Sequence, residues 1–391
     1  MNNYLQIDAN RFDSPKFDKV DVLFIAGEHS GDQHGAEIIE KILQKDPNKK
    51  ICMIGGPAME KLKQAQFLFN LADSSVVGFV EVLRNYNFFK KIFDDLMEWI
   101  SFHSPKRIVF IDYPGFNLRI AKSLFQAGIS KASGGKVELY YYIAPQVWAW
   151  KAKRRFSMAE HIDSLGVIFP FEIEVFSDTK LQTHFVGHPF VQNGFKIHLV
   201  YDHSAPILLL PGSRIQAVTR IYPILLKSFE KVLQKNPQME ANVVYPDSKI
   251  KSLLEEIQSS HISKEIEKKI HFHNTSSNLS ASIVLTSSGT MSLKCALAGI
   301  PGAIVYKAHP ITYWIGKRLV KIPYLGISNI LLQKDFYPEF IQNDADPKKI
   351  AQWVFKNLEI NPSIKEGTLE LKRKLHHKDG VSAEDWITKD L

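Results

Sequence analysis

The chain alternates short apolar runs with longer stretches in which apolar residues recur every three or four positions. The short runs predict strands that are buried on both faces, as in a parallel sheet, and the longer stretches predict crossover helices. The predicted strands are 21–26, 50–54, 106–111, 137–143, 164–168, 182–186, 206–210, 241–245, 269–273, 282–285 and 302–306. This βαβ pattern occurs twice, and it predicts an α/β fold with two Rossmann-like, doubly wound domains that face a cleft.

The predicted domain boundary lies in a polar stretch around the turn Gly187-His188-Pro189. We therefore predict an N-terminal domain over 1–190 and a C-terminal domain over 191–346. The remainder, 347–391, reads as helices rich in Lys and Glu. This helical tail could return to pack on the first domain, either within one chain or across a homodimer.

Composition and charge narrow the classes of partner. A hydrophobic content of 45% and a charged content of 23% are ordinary for a soluble globular protein. The net charge of +8 favours an acidic partner, such as nucleic acid, an anionic membrane face or a phosphorylated substrate. The polar N-terminus, the lack of an apolar run of about 18 residues and only two distant cysteines suggest a cytoplasmic protein.

Two strand-to-helix turns in the second half have the chemistry of phosphate sites. Each consists of small residues that point backbone N–H groups beyond the end of a strand, where anions bind. Arg214 adds a planar guanidinium group suited to phosphate. The residues expected at the phosphates are Gly212, Ser213, Arg214, Ser288, Gly289 and Thr290. Two such turns late in an α/β chain predict that this half binds a nucleotide diphosphate.

The first predicted strand leads into a glycine-containing loop at 26–36. Its glycines are spaced four apart, which does not match the G-x-G-x-x-G fingerprint of dehydrogenases, and no Walker lysine motif is present. Glycines at a strand-to-helix turn permit close approach of a ligand to the backbone. The alternative is an ordinary tight turn that is capped by Ser30 or Asp32.

Asp112 follows the predicted strand 106–111 directly. A carboxylate at the carboxyl end of a parallel strand faces the ligand crevice, and partial burial would make it a better general base. The alternative is that Asp112 caps the helix that begins near Phe116.

The segment 140–155 combines Pro145, Trp148 and Trp150 with several basic residues between 151 and 155. This mixture suits a sugar face or an anionic surface. Two core tryptophans beside a solvated helix face would give the same pattern. Stacking on nucleic acid is the third interpretation, but no RNA-binding motif accompanies the segment.

Segment 76–100 carries a heavy apolar load for a single helix. It could lie on a membrane surface or dock a lipid. A helix packed into the core would give the same composition. Two metal-like patterns, His271 with His273 and Asp344 with Asp346, lack further ligands, and Asp346 fits better as a helix N-cap before Pro347. No metal site is therefore predicted.

From about Val22 to about Asp346 the chain resembles lipid-A-disaccharide synthase, a family of inverting glycosyltransferases with the GT-B fold. The motifs that carry the resemblance, in order along the chain, are AGEHSGDQHGA (26–36), VVGFVEVL (76–83), FIDYPGFNLRIAK (110–122), YYIAPQVWAWKAKR (141–154), FVGHP (185–189), LLPGSR (209–214), SSGTMSLKCALAGIP (287–301) and RLVKIPYLGISNIL (318–331).

The resemblance implies the substrates and products of a reaction, the half of the chain that binds each substrate and the location in the cell. The donor would be UDP-2,3-diacylglucosamine and the acceptor 2,3-diacylglucosamine 1-phosphate. The products would be a β-1′,6-linked disaccharide 1-phosphate and UDP. The N-terminal half would hold the acceptor and the C-terminal half the UDP, at the cytoplasmic face of the inner membrane. Neither a cofactor nor a metal is implied, and nucleic acid is not an expected partner.

The resemblance also implies residue roles. Asp112 would take the proton from the acceptor hydroxyl group, Asn329 would line the nucleotide site, and the two phosphate turns would stabilise the diphosphate. The acceptor and cleft wall would be lined by Gly27, Glu28, Ser30, Gly31, Asp32, Gln146 and Trp148. The side chains that would contact the membrane or lipid are those of Val80, Leu83, Phe88 and Phe89.

Two positions depart from the family pattern. Lys294 stands where the family usually has a glutamate, and a lysine cannot accept hydrogen bonds from ribose hydroxyl groups. Gly115 stands where many relatives have an aspartate, which favours Asp112 as the base. Three alternatives remain open: a related transferase that uses another acceptor, an inactive relative that binds a UDP-sugar or a membrane without turnover, and a basic nucleic-acid-binding protein.

Overall fold

A computed structural model describes residues 12–73, 86–192, 194–309, 323–358, 362–377 and 381–391. The chain divides into two compact units. The first unit comprises Met1–Pro189 and His377–Leu391, and the second comprises Phe190–His376. The predicted tail, 347–391, is therefore divided between the units.

The first unit is built on a seven-stranded parallel sheet. Its strands are β1 (Val22–Ala26), β2 (Ile51–Gly55), β3 (Gln66–Asn70), β4 (Arg107–Ile111), β5 (Glu138–Tyr142), β6 (Ser164–Val167) and β7 (Gln182–Phe185). They lie in the order β3-β2-β1-β4-β5-β6-β7, so the direction of strand addition reverses after β1. In a doubly wound sheet, such a reversal opens a crevice at the carboxyl ends of the strands on either side of it.

Helices cover both faces of this sheet. They are α1 (His29–Lys45), α2 (Pro57–Glu60), α3 (Tyr86–His103), α4 (Pro114–Gln126), α5 (Arg154–His161), α6 (Glu172–Val175) and α14 (Ala383–Thr388). Two buried clusters result, one on each face, because successive strand residues such as Phe110 and Ile111 point to opposite sides.

The last helix, α14, packs on α1 and on the sheet. Trp386 stacks on Tyr140 with ring centroids 4.9 Å apart, and its indole N–H donates to Ser164 Oγ at 2.9 Å. A β-carbon at Gly166 would come within 2.6 Å of the Trp386 ring, so this strand position accommodates the indole only because it has no side chain. Buried Arg107 donates to the main-chain carbonyl groups of Ile387 and Lys389, which ties the end of the chain to β4.

The second unit has a six-stranded parallel sheet in the order β11-β10-β9-β13-β14-β15 and a separate pair, β12-β8. Its strands are β8 (Leu199–Tyr201), β9 (Ile207–Leu210), β10 (Ala241–Tyr245), β11 (Ile270–Asn274), β12 (Leu279–Ala281), β13 (Val284–Thr286), β14 (Gly302–Tyr306) and β15 (Glu339–Ile341). Its helices are α7 (Ile215–Lys235), α8 (Ser248–His261), α9 (Lys264–Glu267), α10 (Thr290–Leu297), α11 (Ile327–Leu332), α12 (Pro347–Asn357) and α13 (Pro362–Leu375).

The early part of the predicted tail belongs to this second unit because its helices bury apolar faces there. In α12, Ile350, Ala351 and Val354 join the same buried cluster as α7. Asp346 caps this helix by accepting the N–H groups of Lys348 and Lys349, as the sequence predicts.

All the predicted strands are present, within one or two residues at each end. The two doubly wound parallel sheets confirm the predicted α/β class. Four strands were not predicted: β3, β8, β12 and β15. Three of them are only three residues long, and β3 carries polar residues at both ends. Within the described ranges, no helix is both long and apolar enough to cross a bilayer.

Candidate functional site

The carboxyl ends of β1, β4 and β5 form one edge of the first sheet, since Ala26 pairs with Ile111 and Ile111 pairs with Tyr142. Asp112 follows β4, and its N–H donates to the Tyr142 carbonyl group at 3.0 Å. Asp112 and Tyr113 have φ angles of 45° and 47°. Two consecutive non-glycine residues in the left-handed region carry backbone strain, which the surrounding structure must offset.

Two buried side chains hold this turn in place. Tyr141 Oη donates to the Asp112 carbonyl oxygen at 2.6 Å, and Asn117 Nδ2 donates to the same oxygen at 2.8 Å. Both side chains are fully buried. Neither residue was predicted from the sequence. The strand β5 has the sequence Glu-Leu-Tyr-Tyr-Tyr, and three consecutive tyrosines do not distinguish Tyr141 from its neighbours.

Burial raises the pKa of Asp112 to about 6, and the negative charge of Glu28 adds to the rise. A hydrogen bond from the backbone of Tyr113 and the charge of His34 oppose it. The helix that follows, α4, has Tyr113 as its N-cap residue and no side-chain cap. The structure therefore does not support the alternative that Asp112 caps this helix, and it leaves a carboxyl group of raised pKa at the sheet edge.

The loop after β1 brings Gly27 and Glu28 to the same edge. A β-carbon at Gly27 would come within 2.0 Å of the Tyr113 ring, so the ring can lie on this backbone only because residue 27 is glycine. Glu28 is the exposed N-cap residue of α1 and makes no side-chain capping hydrogen bond. Ser30 is exposed and does not cap α1 either, so the structure does not support the alternative of a turn capped by Ser30 or Asp32.

Asp32 is only 2% exposed. Its carboxylate accepts the backbone N–H groups of Gly56, Ala58 and Met59 at 2.8–3.0 Å. It thus binds the turn between β2 and α2 and uses its acceptors there. Gly31 is also buried and lies against Ile111, since a β-carbon there would be 3.4 Å from the Ile111 carbonyl oxygen.

The segment after β5 supplies Gln146 and Trp148. Gln146 is exposed, whereas Trp148 is half-buried and its indole N–H donates to Glu172 Oε1 at 3.2 Å. The other oxygen of Glu172 accepts the Phe169 N–H at 3.0 Å. Burial raises the pKa of Glu172 to about 8, against the opposing effect of these hydrogen bonds. Glu172 was not predicted from the sequence, and it anchors the Trp148 segment to the loop that follows β6.

In the second unit, the two predicted phosphate turns are neighbours. β9 and β13 are paired, and the Ser287 N–H donates to the Leu210 carbonyl group at 2.8 Å. Gly212 has φ 114°, and a β-carbon there would lie 3.2 Å from Ser287 Oγ. The turns after β9 and β13 therefore lie against each other at the carboxyl edge of this sheet.

Helices begin directly after both turns, and neither has a side-chain cap. Arg214 is the exposed N-cap residue of α7, and Gly289 is the N-cap residue of α10 with φ 145°. Gly289 and Thr290 are exposed, Ser213 is exposed and Ser288 is half-buried. Two helix N-termini with available N–H groups, beside a guanidinium group, form a setting suited to an anion.

Lys294 lies on α10 and Asn329 lies on α11, and both have partners of their own. Asn329 is fully buried; its amide donates to the Tyr337 carbonyl group and to Glu339 Oε1, and its oxygen accepts the Tyr337 N–H. The Lys294 ammonium group lies 4.7 Å from the ring centroid of Phe190 and 5.5 Å from that of Phe195. The structure thus gives Asn329 a role in holding α11 to β15.

The proposed lipid-docking residues are only partly described. Val80 and Leu83 lie outside the described residues, and Phe88 and Phe89 on α3 are half-buried against the first core. Among the described residues, no group of three or more His, Cys, Asp or Glu side chains has the arrangement of a metal site.

Comparison with known proteins agrees with this architecture. The model of the lipid-A-disaccharide synthetase family matches residues 22–386. The chain is 32% identical over 387 residues to lipid-A-disaccharide synthase 1 of Legionella pneumophila strain Paris, covering 95% of this chain and 96% of that protein. It is 32% identical over 347 residues to lipid-A-disaccharide synthase of Coxiella burnetii strain Dugway 5J108-111, covering 86% and 88% respectively.

Solved structures give the fold. The glycotransferase of kitacinnamycin matches with a TM-score of 0.59 at 10% identity, covering 91% of this chain and 95% of that chain. The UDP-GlcNAc 2-epimerase of Methanocaldococcus jannaschii matches with a TM-score of 0.55 at 11% identity, covering 90% and 97%. Since the family match spans most of the sequence, the chain belongs to the lipid-A-disaccharide synthetase family, glycosyltransferases of lipid A biosynthesis with the GT-B fold.

Proposed function

We propose that this chain transfers 2,3-diacylglucosamine from its UDP conjugate to 2,3-diacylglucosamine 1-phosphate, with inversion at the anomeric carbon. The products are the β-1′,6-linked disaccharide 1-phosphate and UDP. The observation that carries the proposal is the carboxyl group of Asp112, held at the carboxyl edge of the first sheet with a pKa raised to about 6.

Asp112 acts as the general base in this proposal. The acceptor 6-hydroxyl group gives its proton to the carboxylate as its oxygen attacks the anomeric carbon from the face opposite UDP. A base of pKa about 6 is mostly ionised at pH 7 and is a stronger proton acceptor than an ordinary aspartate. Tyr141 and Asn117 fix the direction of the carboxylate by holding the Asp112 carbonyl oxygen.

The paired turns of the second unit stabilise the leaving group. Negative charge grows on the diphosphate as the glycosidic bond to UDP breaks. The N–H groups at the starts of α7 and α10 and the Arg214 guanidinium group can donate hydrogen bonds to the phosphate oxygens. They stabilise the growing negative charge without rearrangement. Lys294 does not offer the acceptors that ribose hydroxyl groups would use, so other groups bind the ribose in this proposal.

The acceptor binds in the first unit, beside Gly27, Glu28, Gln146 and Trp148. Both substrates carry acyl chains, so the reaction takes place at the cytoplasmic face of the inner membrane. A lipid held in the bilayer can present its sugar to the sheet edge while its acyl chains stay in an apolar medium.

The test is UDP release from purified protein with the donor, in the presence and absence of the 1-phosphate acceptor. Asp112→Asn should reduce acceptor-dependent release by at least about 100-fold, the usual range for loss of a general base. Asp18→Asn is the matched control, because Asp18 is an exposed carboxylate of the same unit. It should release UDP at the wild-type rate.

The outcomes separate the alternatives. Nuclear magnetic resonance of the product should show the β configuration at the new linkage, and an α linkage would overturn the inverting mechanism. UDP binding without release in any sample would identify a binding protein that lacks turnover. Release with a different sugar acceptor alone would identify a related transferase.

A further inference from the structure

Residues 150–156, with the sequence Trp-Lys-Ala-Lys-Arg-Arg-Phe, form a surface that we call the basic aromatic patch. Trp150 is 54% exposed and Phe156 is 48% exposed. In the described part of the chain, Phe102 is the only other exposed phenylalanine or tryptophan. Two large aromatic side chains that are exposed within seven consecutive residues suggest a binding partner.

The exposed rings in the patch are accompanied by cations. The Lys151 ammonium group lies 4.5 Å from the Trp150 ring centroid, and the Arg154 guanidinium carbon lies 5.7 Å from it. The Arg155 guanidinium carbon lies 4.3 Å from the Phe156 ring centroid. Each ring thus presents an apolar face together with positive charge.

Most of the positive charge in the patch is not neutralised. Arg155 forms hydrogen bonds of 2.8 Å and 2.5 Å to the two carboxylate oxygens of Asp178. By contrast, among the residues that the structure describes, no carboxylate forms an ion pair with Lys151, Lys153 or Arg154. The patch therefore presents three charges that an anionic partner can neutralise.

The patch adjoins the candidate site. Trp148, which Glu172 anchors, lies two residues before Trp150. Arg154 is close enough to Tyr141 for its charge to oppose the rise in the tyrosine pKa that burial and Asp112 cause. Tyr141 in turn holds Asp112. A partner on the patch would therefore lie beside the carboxyl edge of the first sheet.

We propose that the basic aromatic patch docks the protein on the surface of an anionic lipid bilayer. Tryptophan and phenylalanine insert at the level of the headgroups, while lysine and arginine bind lipid phosphates. This inference rests on the proposed function in one respect, since lipid substrates must reach the sheet edge from a bilayer. It assigns membrane contact to a surface other than α3, whose Phe88 and Phe89 are half-buried against the core.

The test is sedimentation with vesicles, using the full chain. One set of vesicles contains phosphatidylglycerol and phosphatidylethanolamine, and the other contains phosphatidylcholine alone. The triple variant Lys151→Gln, Lys153→Gln, Arg154→Gln should bind phosphatidylglycerol vesicles roughly 100-fold more weakly at low salt, since each basic residue contributes about fivefold near such a surface. Trp150→Ala should weaken binding about tenfold, because it removes the apolar anchor.

The control has the same loss of charge at another place. Lys264→Gln, Lys268→Gln, Lys269→Gln changes three lysines around α9 in the second unit, where no exposed tryptophan, tyrosine or phenylalanine lies nearby in the sequence. This control should bind phosphatidylglycerol vesicles within about threefold of wild type, as scattered surface charge acts only weakly at a distance. Thermal unfolding of each variant checks that the substitutions leave the fold intact.

Two results would overturn the proposal. One is equal loss of binding in both triple variants, which would attribute the effect to net charge. The other is equal binding of wild type to both kinds of vesicle, which would remove the anionic partner. UDP release from detergent-dispersed substrates is measured separately. A wild-type protein that binds vesicles through the patch but releases no UDP would refute the proposed reaction and leave the docking surface standing.

Discussion

The hydroxyl group of Tyr141 donates a hydrogen bond of 2.6 Å to the carbonyl oxygen of Asp112, from a neighbouring strand of the same sheet. The bond is fully buried at its tyrosine end. It acts on the main chain of Asp112 and leaves the carboxylate available for substrate. Because Asp112 and Tyr113 both have left-handed backbone conformations, this bond offsets part of the strain that directs the carboxyl group.

Replacing Tyr141 with phenylalanine should lower kcat for UDP release about fivefold and leave KM within twofold of wild type. The loss corresponds to the net contribution of one ordinary hydrogen bond, about 1 kcal/mol. Steady-state kinetics with varied acceptor would measure both constants. Tyr142→Phe is the control, because this neighbouring tyrosine packs on the opposite face of the sheet. A rise in KM without a fall in kcat would show that Tyr141 does not position the base.

The rate should depend on pH through Asp112. Burial raises its pKa to about 6, and the base acts only when ionised. We expect kcat/KM to fall about tenfold per pH unit below pH 6 and to be level between pH 7 and 8. An activity profile from pH 4.5 to 8 would measure this. A profile that stays level down to pH 5 would contradict the assignment.

The ionised carboxylate of Asp112 should lower the free energy of unfolding at neutral pH. Its folded pKa of about 6 exceeds the ordinary value of 3.8, so the native state binds more protons between these values. The stability that this group contributes is therefore complete below pH 3.8 and is lost as the pH rises through 6. Asn is neutral throughout and tolerates a left-handed conformation, so Asp112→Asn should be more stable than wild type above pH 7, by up to about 3 kcal/mol.

Thermal unfolding of Asp112→Asn and wild type at pH 4 and pH 8 would measure this effect. The two melting temperatures should converge at pH 4 and separate at pH 8, with the variant higher. A variant that is less stable than wild type at pH 8 would show that the Asp112 carboxylate has favourable partners in the folded state.

Gly289 should be needed for UDP binding. Its φ of 145° is a conformation that L side chains rarely adopt, and it stands at the start of α10. Gly289→Ala should weaken UDP binding at least tenfold in calorimetry, because the strained backbone would move the N–H groups of the turn. Gly299→Ala is the control: it has φ 73° near the other end of the same helix. It should lower the melting temperature but leave UDP affinity within about twofold.

Gly166 and Trp386 should act together in the first unit. A methyl group at Gly166 would meet the Trp386 ring, so Gly166→Ala should lower the free energy of unfolding by about 1–3 kcal/mol. Trp386→Ala removes a buried indole and should cost about 3–5 kcal/mol. Combining the two should cost less than the sum, since the indole that clashes is then gone. Urea unfolding of the three variants and wild type gives the coupling energy, and additive costs would contradict the contact.

The sequence predicts the strands of both sheets because each main strand is apolar on two faces. It also predicts the residues at the carboxyl edges, because the turn after each buried strand of a parallel sheet lies at the same edge of that sheet. Asp112 and the turns after β9 and β13 were found in this way. The short edge strands were missed because three residues, such as those of β15, carry too little periodicity to recognise.

The hydrogen-bond partners that side chains find in the folded chain could not be predicted from the sequence. Asp32 and Asn329 were assigned to binding sites, and the structure adds partners that the sequence did not predict. Asp32 accepts backbone N–H groups that are more than 20 positions away, and Asn329 bonds the backbone of Tyr337 and the side chain of Glu339. Tyr141 and Glu172 were missed for the complementary reason. A strand that ends in three tyrosines and a short helix do not show which of their side chains supports a site residue from another segment.

The placement of Trp386 in the first unit has a consequence for synthesis. The ribosome completes the strands of the first sheet early, but the helix that covers Tyr140 and Gly166 emerges only after the whole second unit. At 5–20 residues per second, the intervening stretch of roughly 190 residues takes about 10–40 s to translate. During that interval the nascent first unit lacks the indole that fills its surface at Gly166. Truncated products of interrupted translation would keep that surface exposed. We expect chaperones and proteases to recognise them by it.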